Sequence, residues 1–316
     1  MHIVRLESLG VDEHAWEEAI RPFIAEGHTF SVYDRTTDED QLVRELSGAD
    51  AAILANMPLP GPVLARTSGL RFLDVAFTGV DHVGMQTAKD MGITISNASG
   101  YSTWAVAELT LQMILSLLRN VPALTERCRA GLDKSGLVGS ELHGKTVGIV
   151  GLGAIGLTTA RLCQAFGCRV IGTSRTQTEG LRDGIPCCSL DEVLKESDIV
   201  VLHCPLTEKT RHLICRDTLK RMKPTAYLIN MARGPVVNED DLLAALEEGT
   251  IAGAGVDVFS IEPPLPVDYP LLRSPNLLVT PHAAFATKES MLLRLQIVMD
   301  NLRAFLDGAP RNVVER

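Results

Sequence analysis

The chain has 316 residues, of which 46% are hydrophobic and 22% charged, so it is long enough for two ordinary globular domains. Its formal net charge of −9, without any run of Lys or Arg, argues against nucleic acid or an anionic membrane surface as a partner. Residues 1–10 lack the features of a signal peptide, and the most apolar stretch, 106–118, is too short and polar to span a bilayer.

The chain contains seven cysteines, an odd number without CxxC spacing, which is typical of free thiols in a reducing compartment. We therefore expect a cytoplasmic protein. Cys163 and Cys168 have no histidine partners, and the adjacent Cys187 and Cys188 are poorly arranged to share a metal ion. The sequence predicts no metal site.

In the first hundred residues, short apolar runs alternate with amphipathic stretches, which predicts parallel strands joined by helices. The predicted strands are residues 2–6, 29–33, 51–54, 72–75 and 94–96. Helical patterns lie between them, as at 12–24 and 38–46. These elements predict one small α/β unit.

A long apolar helix is predicted to begin at Ser102 or Thr103 and to end at Leu118, and a polar, Gly-rich segment follows at 130–140. A second α/β unit then begins. Its predicted strands are residues 146–150, 169–173, 199–203, 227–230, 253–258 and 277–280. A last amphipathic helix, 291–306, follows the sixth strand, and if it returns to the first unit that unit is discontinuous.

The stretch GKTVGIVGLGAIG at 144–156 has the form of a strand that turns directly into a helix. Gly151 permits the tight turn, Gly153 lets the backbone approach a pyrophosphate, and Gly156 lets the helix pack against the strand. Backbone N–H groups at the start of such a helix point at the phosphates. The pattern predicts a dinucleotide site, and a Gly-rich turn without a ligand is the alternative.

Three charged residues each follow a different predicted strand of the second unit: Arg233, Glu262 and His282. Ligands of open α/β sheets bind outside the carboxyl ends of the strands, so these residues can converge. A His bonded to a carboxylate can take a hydroxyl proton, and a guanidinium can bind a substrate carboxylate. The set predicts hydride transfer between a nicotinamide and a 2-hydroxy acid, although each residue alone would more often be structural.

These motifs resemble the D-isomer-specific 2-hydroxyacid dehydrogenase family, in its glyoxylate/hydroxypyruvate reductase-like or D-lactate dehydrogenase-like branches, over nearly the full length. The similar stretches are FTGVDHVGMQTAKDMGITISNASGYSTWAVAE at 77–108, GLGAIG at 151–156, HCPLTEKTRHLI at 203–214, NMARGPVVNEDDLLAAL at 230–246, AGAGVDVFSIEP at 252–263 and PHAAFAT at 281–287. The resemblance implies a doubly wound parallel-sheet (Rossmann) dinucleotide domain at 99–284. It also implies a smaller flavodoxin-like α/β substrate domain at 1–98 and 285–316, and a homodimer formed through 102–140.

The resemblance also implies roles at the substrate. Arg233 would anchor the substrate carboxylate, Glu262 would partner the base, and His282 would be the acid–base. Backbone groups at Thr78 and Gly79 would hold the carboxylate. Tyr101 matches a tyrosine that helps bind substrate in some members, or it is an ordinary half-buried aromatic. Met57 suggests an apolar wall of the substrate pocket.

Cofactor contacts follow from the same resemblance and from the glycine turn. The expected residues are Gly151, Gly153, Ala154, Ile155, Gly156, Pro205, Thr207, Met231, Ala232 and Asp257, the last at the nicotinamide carboxamide. Ser174 stands where NAD-using relatives carry Asp, and Arg175 and Thr176 follow it. An added 2′-phosphate requires a cation at this strand end, so we expect NADP to be preferred over NAD. A solvated Arg175 in an enzyme that accepts either cofactor is the alternative.

Three other functions share this fold. Formate dehydrogenases use an amide where this chain has Glu262, because formate oxidation releases no hydroxyl proton. Phosphite dehydrogenases are a further alternative. A nucleotide-sensing scaffold, similar to the C-terminal-binding protein co-repressors, would keep the site residues without turnover. The expected substrates are small or moderately apolar 2-keto acids.

Overall fold

The computed structural model describes residues 1–175 and 179–314. The chain divides into two compact units, one formed by Met1–Ser102 with the segment from Ala286 onward, the other by Thr103–Phe285. Among the described residues, no helix has the length and hydropathy that a bilayer crossing requires.

The first unit contains a five-stranded parallel sheet with the order β2-β1-β3-β4-β5. Strands β1–β5 are His2–Arg5, Thr29–Val32, Ala51–Leu54, Phe72–Val75 and Thr94–Asn97. Helices α1–α4 are Glu13–Ala25, Glu39–Glu45, Gly61–Leu64 and Met85–Asp90. Strands β3 and β4 are buried at every position, as expected for a parallel sheet covered on both faces. The strand order confirms the predicted flavodoxin-like unit.

The second unit contains a six-stranded parallel sheet with the order β13-β12-β11-β10-β6-β7. Strands β6–β13 are Thr146–Val150, Arg169–Thr173, Leu181–Arg182, Ile185–Pro186, Ile199–Leu202, Tyr227–Asn230, Gly253–Val256 and Leu277–Val279. Helices α5–α10 are Thr103–Leu118, Val121–Arg129, Ala154–Ala165, Leu190–Glu196, Arg216–Leu219 and Glu239–Glu247. The predicted doubly wound sheet is confirmed, with β8 and β9 as a separate antiparallel hairpin.

Helix α5 lies against the sheet of the second unit where β12 has little side-chain bulk. A Cβ at Gly255 would lie 3.1 Å from the sulfur of Met113 and 3.4 Å from a methyl group of Leu117, both on α5. The close approach buries Met113 completely. Helix α5 therefore covers one face of the sheet, while the loops that follow the strands lie at the carboxyl edge.

Helix α11, Lys288–Leu306, packs against the first unit. Phe305 stacks on Phe72 of β4, with 4.3 Å between the ring centroids. The helix begins three residues before the predicted start, because Thr287 and Ser290 form a capping box ahead of the first apolar position.

Helix α6 and the β8–β9 hairpin were not predicted from the sequence. Helix α6 has no buried residue, so it lacks the apolar periodicity that marks a helix. The strands of the β8–β9 hairpin have two residues each, too few to show an alternating pattern.

Candidate functional site

The turn between β6 and α7 is built for glycine. Gly151 has a φ of +106°, and a Cβ there would lie 2.6 Å from the backbone nitrogen of Cys204. A Cβ at Gly156 would lie 2.0 Å from the carbonyl oxygen of Gly151. By contrast, a Cβ at Gly153 would meet no described heavy atom within 4 Å. The chain therefore packs tightly on one side of this turn and leaves space on the other.

The start of α7 fits a dinucleotide pyrophosphate. Gly153 occupies the N-cap position, and no side chain in the described residues caps it. The first N–H groups of a helix, here those of Ala154, Ile155 and Gly156, have no acceptor within the helix. Such groups and the helix dipole favour a bound anion.

Other predicted residues follow strands that end at the same edge of the sheet. Pro205 and Thr207 follow β10, and Met231 and Ala232 follow β11. Thr207 exchanges hydrogen bonds with Thr210, including one from its backbone N–H to the Thr210 hydroxyl at 2.8 Å, which closes a turn. Neighbouring parallel strands lie about 4.8 Å apart, so these loops are close to one another.

His282 and Glu262 form a direct pair. Nδ1 of His282 lies 2.7 Å from Oε1 of Glu262, and the side chains are 11% and 44% exposed. The N–H group at Nδ1 donates a hydrogen bond to this carboxylate. The other ring nitrogen, Nε2, lies on the side of the ring away from Glu262. The pair can therefore give or take a proton.

Asp257 fixes the backbone that carries His282. Its carboxylate accepts the N–H groups of Ala283 at 2.8 Å and Ala284 at 3.1 Å, and the hydroxyl of Thr280 at 2.5 Å. His282 has a φ of +53°, an uncommon conformation for a residue with a side chain. The bonds to Asp257 hold it there, a role that sequence reasoning missed. The expected contact of Asp257 with the carboxamide stays a prediction.

Arg233 follows β11 in a segment that Asn230 organises. The Asn230 side chain accepts the N–H of Ala232 and donates to the carbonyl of Arg233, both at 3.1 Å. The guanidinium of Arg233 donates to the carbonyl of Ala232 at 2.9 Å. A Cβ on Gly234 would lie 1.9 Å from the backbone of Phe259, so this segment presses against the one that leads to Glu262.

At the end of β7, Ser174 has a cationic neighbour that the sequence analysis did not find. Nη1 of Arg182, on the β8–β9 hairpin, donates to Oγ of Ser174 at 3.5 Å. Arg175 is exposed beside it. The expected residue Thr176 lies outside the described residues. One arginine, Arg182, therefore contacts this strand end, and a second, Arg175, follows Ser174 in the chain.

The predicted substrate residues of the first unit fall into two groups. Thr78 is exposed, and its carbonyl accepts a hydrogen bond from the side chain of Asn97 at 2.8 Å; Gly79 follows it. Met57 is fully buried, with its sulfur accepting the N–H of Thr36 at 3.4 Å. Tyr101 is also buried, with its ring 5.5 Å from the guanidinium carbon of Arg294. The substrate roles of these residues stay predictions.

The cysteines are unpaired thiols. All seven cysteines are free, and burial raises the pKa of Cys163 to about 12. Within residues 1–175 and 179–314, no group of three or more His, Cys, Asp or Glu could hold a metal ion.

Known proteins match this fold and these motifs. The family model described as D-isomer specific 2-hydroxyacid dehydrogenase, NAD binding domain, matches residues 111–284. A hydroxypyruvate reductase of Blautia hydrogenotrophica is 34% identical over 90% of this chain and 91% of its own. The chain belongs to the D-isomer-specific 2-hydroxyacid dehydrogenase family. The resemblance drawn from the sequence motifs is confirmed.

Two further relatives of the chain cover it almost entirely. A glycerate dehydrogenase of Methylorubrum extorquens is 36% identical over 96% of this chain and 98% of its own. Among solved structures, the acyclic imino acid reductase Bsp5 in complex with NADPH and D-Arg has a TM-score of 0.92 and 29% identity, covering 100% of both chains. As a member of this dehydrogenase family, the chain is a nicotinamide-dependent oxidoreductase.

Proposed function

We propose that this protein reduces a small 2-keto acid to the D-2-hydroxy acid with NADPH and catalyses the reverse oxidation. The observation that carries the proposal is the 2.7 Å contact between His282 and Glu262. It lies at the sheet edge that also carries the glycine turn and Arg233. The names of the related reductases and dehydrogenases support the same class of substrate.

In this proposal the bound nicotinamide supplies the hydride that goes to C2 of the keto acid. Nε2 of His282 gives its proton to the C2 oxygen, and Glu262 stabilises the positive charge on the ring before that step. The guanidinium of Arg233 pairs with the substrate carboxylate and polarises the C2 oxygen. Thr78, Gly79, Met57 and Tyr101, all in the first unit, belong to the proposal as substrate-binding residues on the family resemblance alone.

The cofactor is assigned to the second unit. The N–H groups of Ala154, Ile155 and Gly156 would hold the pyrophosphate, with Gly151 and Gly153 in the turn that precedes them. Residues expected to line the remainder are Pro205, Thr207, Met231, Ala232 and Asp257. The openness at Gly153 and the uncapped start of α7 support this assignment.

NADP is proposed as the preferred cofactor because the end of β7 carries hydroxyl and guanidinium groups. Ser174 stands where an acidic residue would bind the ribose of NAD, and Arg175 and Thr176 come next. The contact of Arg182 with Ser174 supports a second cation for the 2′-phosphate. A guanidinium binds phosphate better than an ammonium because it forms bidentate bonds.

A homodimer through residues 102–140 is part of the proposal, and the thiol content supports a cytoplasmic location. Several large apolar side chains are exposed in or near this segment: Trp104, Val121, Leu132 and Val138. Apolar surface of this kind is typical of protein interfaces. Light scattering coupled to gel filtration tests it, and a monomer at micromolar concentration would contradict it.

A substrate panel tests the proposed function. Glyoxylate, hydroxypyruvate, pyruvate and branched 2-keto acids are each assayed with NADPH and with NADH by loss of absorbance of the reduced cofactor. We expect turnover of at least one keto acid, with a higher kcat/KM for NADPH than for NADH. Tight NADPH binding without turnover on any of them would contradict the proposal and favour a nucleotide-sensing scaffold.

Reduction of a 2-imino acid is a second candidate, favoured by the similarity to the imino acid reductase structure. In that reaction the hydride goes to C2 and a proton to nitrogen, so the same His282 can serve. The panel is repeated with excess ammonium at alkaline pH, and the products are separated chromatographically. A D-amino acid as main product would establish this function, and a D-hydroxy acid alone would exclude it.

A further inference from the structure

Glu262 lies in an exposed loop that needs a fixed position to serve His282. This segment, residues 260–269, is called the Glu262 loop here. Within it Val267 is 98% exposed and Ile261 is 45% exposed. Packing against the core therefore gives these side chains little order, while a hydrogen bond of 2.7 Å to His282 demands accurate placement of Glu262.

One carboxylate holds both ends of the Glu262 loop. Oε1 of Glu239 accepts the backbone N–H of Ser260 at 2.6 Å. Oε2 of Glu239 accepts the hydroxyl of Tyr269 in a short hydrogen bond. The Tyr269 ring packs edge-on against Phe259, with 5.9 Å between centroids. Burial and the bonded Glu239 carboxylate both raise the pKa of Tyr269, so its hydroxyl stays protonated as a donor.

Glu239 is itself held in place at the start of α10. It is the first residue of the helix, and the preceding Asn238 caps the helix by accepting the N–H of Asp241 at 3.1 Å. A carboxylate in the first turn is favoured by the helix dipole. The Gly234 contact with Phe259 brings the Arg233 segment against the same strand end. Glu239 thus lies a few residues after Arg233 in the chain, and its hydrogen bonds to Ser260 and Tyr269 link the Glu262 loop to the Arg233 segment.

We propose that Glu239 is a positioning residue for hydride transfer, acting by holding the Glu262 loop so that Glu262 stays bonded to His282. The inference rests on the proposed function, since it gives Glu262 a role in proton transfer. The hydrogen bonds that Glu239 accepts from Ser260 and Tyr269 hold the Glu262 loop, and the charge of Glu239 is not needed for this. An amide in place of the carboxylate therefore preserves most of the positioning.

The test compares Glu239→Ala, Glu239→Gln and Tyr269→Phe by kcat, KM and the Kd of NADPH. Glu239→Ala should lower kcat on the order of tenfold, since misplaced catalytic groups cost one to two orders of magnitude. Tyr269→Phe removes one of the two bonds and should give a smaller loss. Glu239→Gln should stay within about threefold of wild type, because it retains an acceptor for Ser260. Glu247→Ala, at the exposed end of the same helix, is the matched control and should match wild type.

A double-mutant cycle with Glu262→Gln identifies the route of the effect. If Glu239 acts through Glu262, Glu239→Ala should lower kcat no further once Glu262→Gln is present. The inference would be overturned if the fold-loss of kcat in the double variant equalled the product of the two single losses. A wild-type kcat in Glu239→Ala, with only a lower Tm, would also overturn it. A wild-type kcat in Glu262→Gln alone would instead contradict the proposed function, so the two failures differ.

Discussion

Oε1 of Glu262 lies 2.7 Å from Nδ1 of His282, and the two residues belong to loops that follow the adjacent strands β12 and β13. The carboxylate of Asp257, between β12 and Glu262 in the chain, accepts the backbone N–H groups of Ala283 and Ala284 after His282 and the side-chain hydroxyl of Thr280 before it. The two ends of one loop therefore control His282 in different ways. Asp257 sets its backbone, and Glu262 sets its ring.

We expect Asp257→Asn to destabilise the protein and to slow turnover. An Asn can present its oxygen to one N–H donor of the His282 segment, but its NH2 group then faces another donor. Leaving buried donors unsatisfied costs roughly 1–3 kcal/mol of unfolding free energy. Urea denaturation measures the loss, and Asp240→Asn on the exposed first turn of α10 is the control. A stability equal to wild type would contradict the structural role of Asp257.

Cofactor preference should depend on both guanidinium groups at the end of β7. Arg175→Ala and Arg182→Ala each remove a cation near Ser174, so the KM for NADPH should rise tenfold or so and that for NADH little. Binding of 2′,5′-ADP and 5′-AMP, measured by calorimetry, separates recognition from turnover. Arg21→Ala, exposed on α1 of the first unit, is the control. Equal changes for both cofactors would rule out a 2′-phosphate site here.

Asp74 should make the first unit less stable as the pH rises. It lies fully buried in β4, and burial raises the pKa of its carboxyl well above the usual range. The unfolded chain loses this proton near pH 4 while the folded chain keeps it. Above pH 4 the unfolding free energy attributable to Asp74 should therefore fall by about 1.4 kcal/mol per pH unit until the folded carboxyl ionises.

The variant Asp74→Asn keeps an acceptor for the Asn301 side chain, which bonds Asp74 at 3.0 Å, and has no ionisable group. Its urea denaturation is compared with wild type between pH 4.5 and 8. The unfolding free energy of the variant, relative to that of wild type, should increase as the pH rises from 4.5 to 8. Parallel curves would contradict the buried, protonated state of Asp74.

His203 should have the opposite dependence. Burial lowers its pKa to about 3, and its Nε2 lies 2.9 Å from the hydroxyl of Thr159 on α7. The unfolded chain binds a proton here below about pH 6.5, and the folded chain does not. Stability due to His203 is therefore lost as the pH falls from 6.5 towards 3, by about 1.4 kcal/mol per unit. His203→Gln should flatten this slope, and an unchanged slope would show that the ring is not buried and neutral.

The fold was predictable because its strands are short apolar runs separated by amphipathic helices. The strand ends then indicated Arg233, Glu262 and His282, since parallel strands bring such residues to one edge. Positions set by loops were not predictable in the same way. Glu239 contacts Tyr269 thirty residues later in the chain, and no periodic pattern links the two.

Side-chain direction is the other property that the motifs did not contain. Tyr101 lies in a matching stretch and Met57 lies outside them; both side chains are buried in the first unit, and their substrate roles stay predictions. Arg182 was missed because its two-residue strand has no alternation, although it contacts Ser174. Sequence motifs located the strand ends, and the packing of the intervening loops determined which side chains meet.

The most direct test of the proposed chemistry is the kcat of His282→Ala with the best keto acid from the panel and NADPH, alongside the Kd of NADPH. Loss of the acid–base group should lower kcat by roughly 10²–10⁴ and leave the Kd almost unchanged. A kcat within threefold of wild type would contradict the assignment of His282, and with it the central claim that this site reduces a keto acid by proton and hydride transfer.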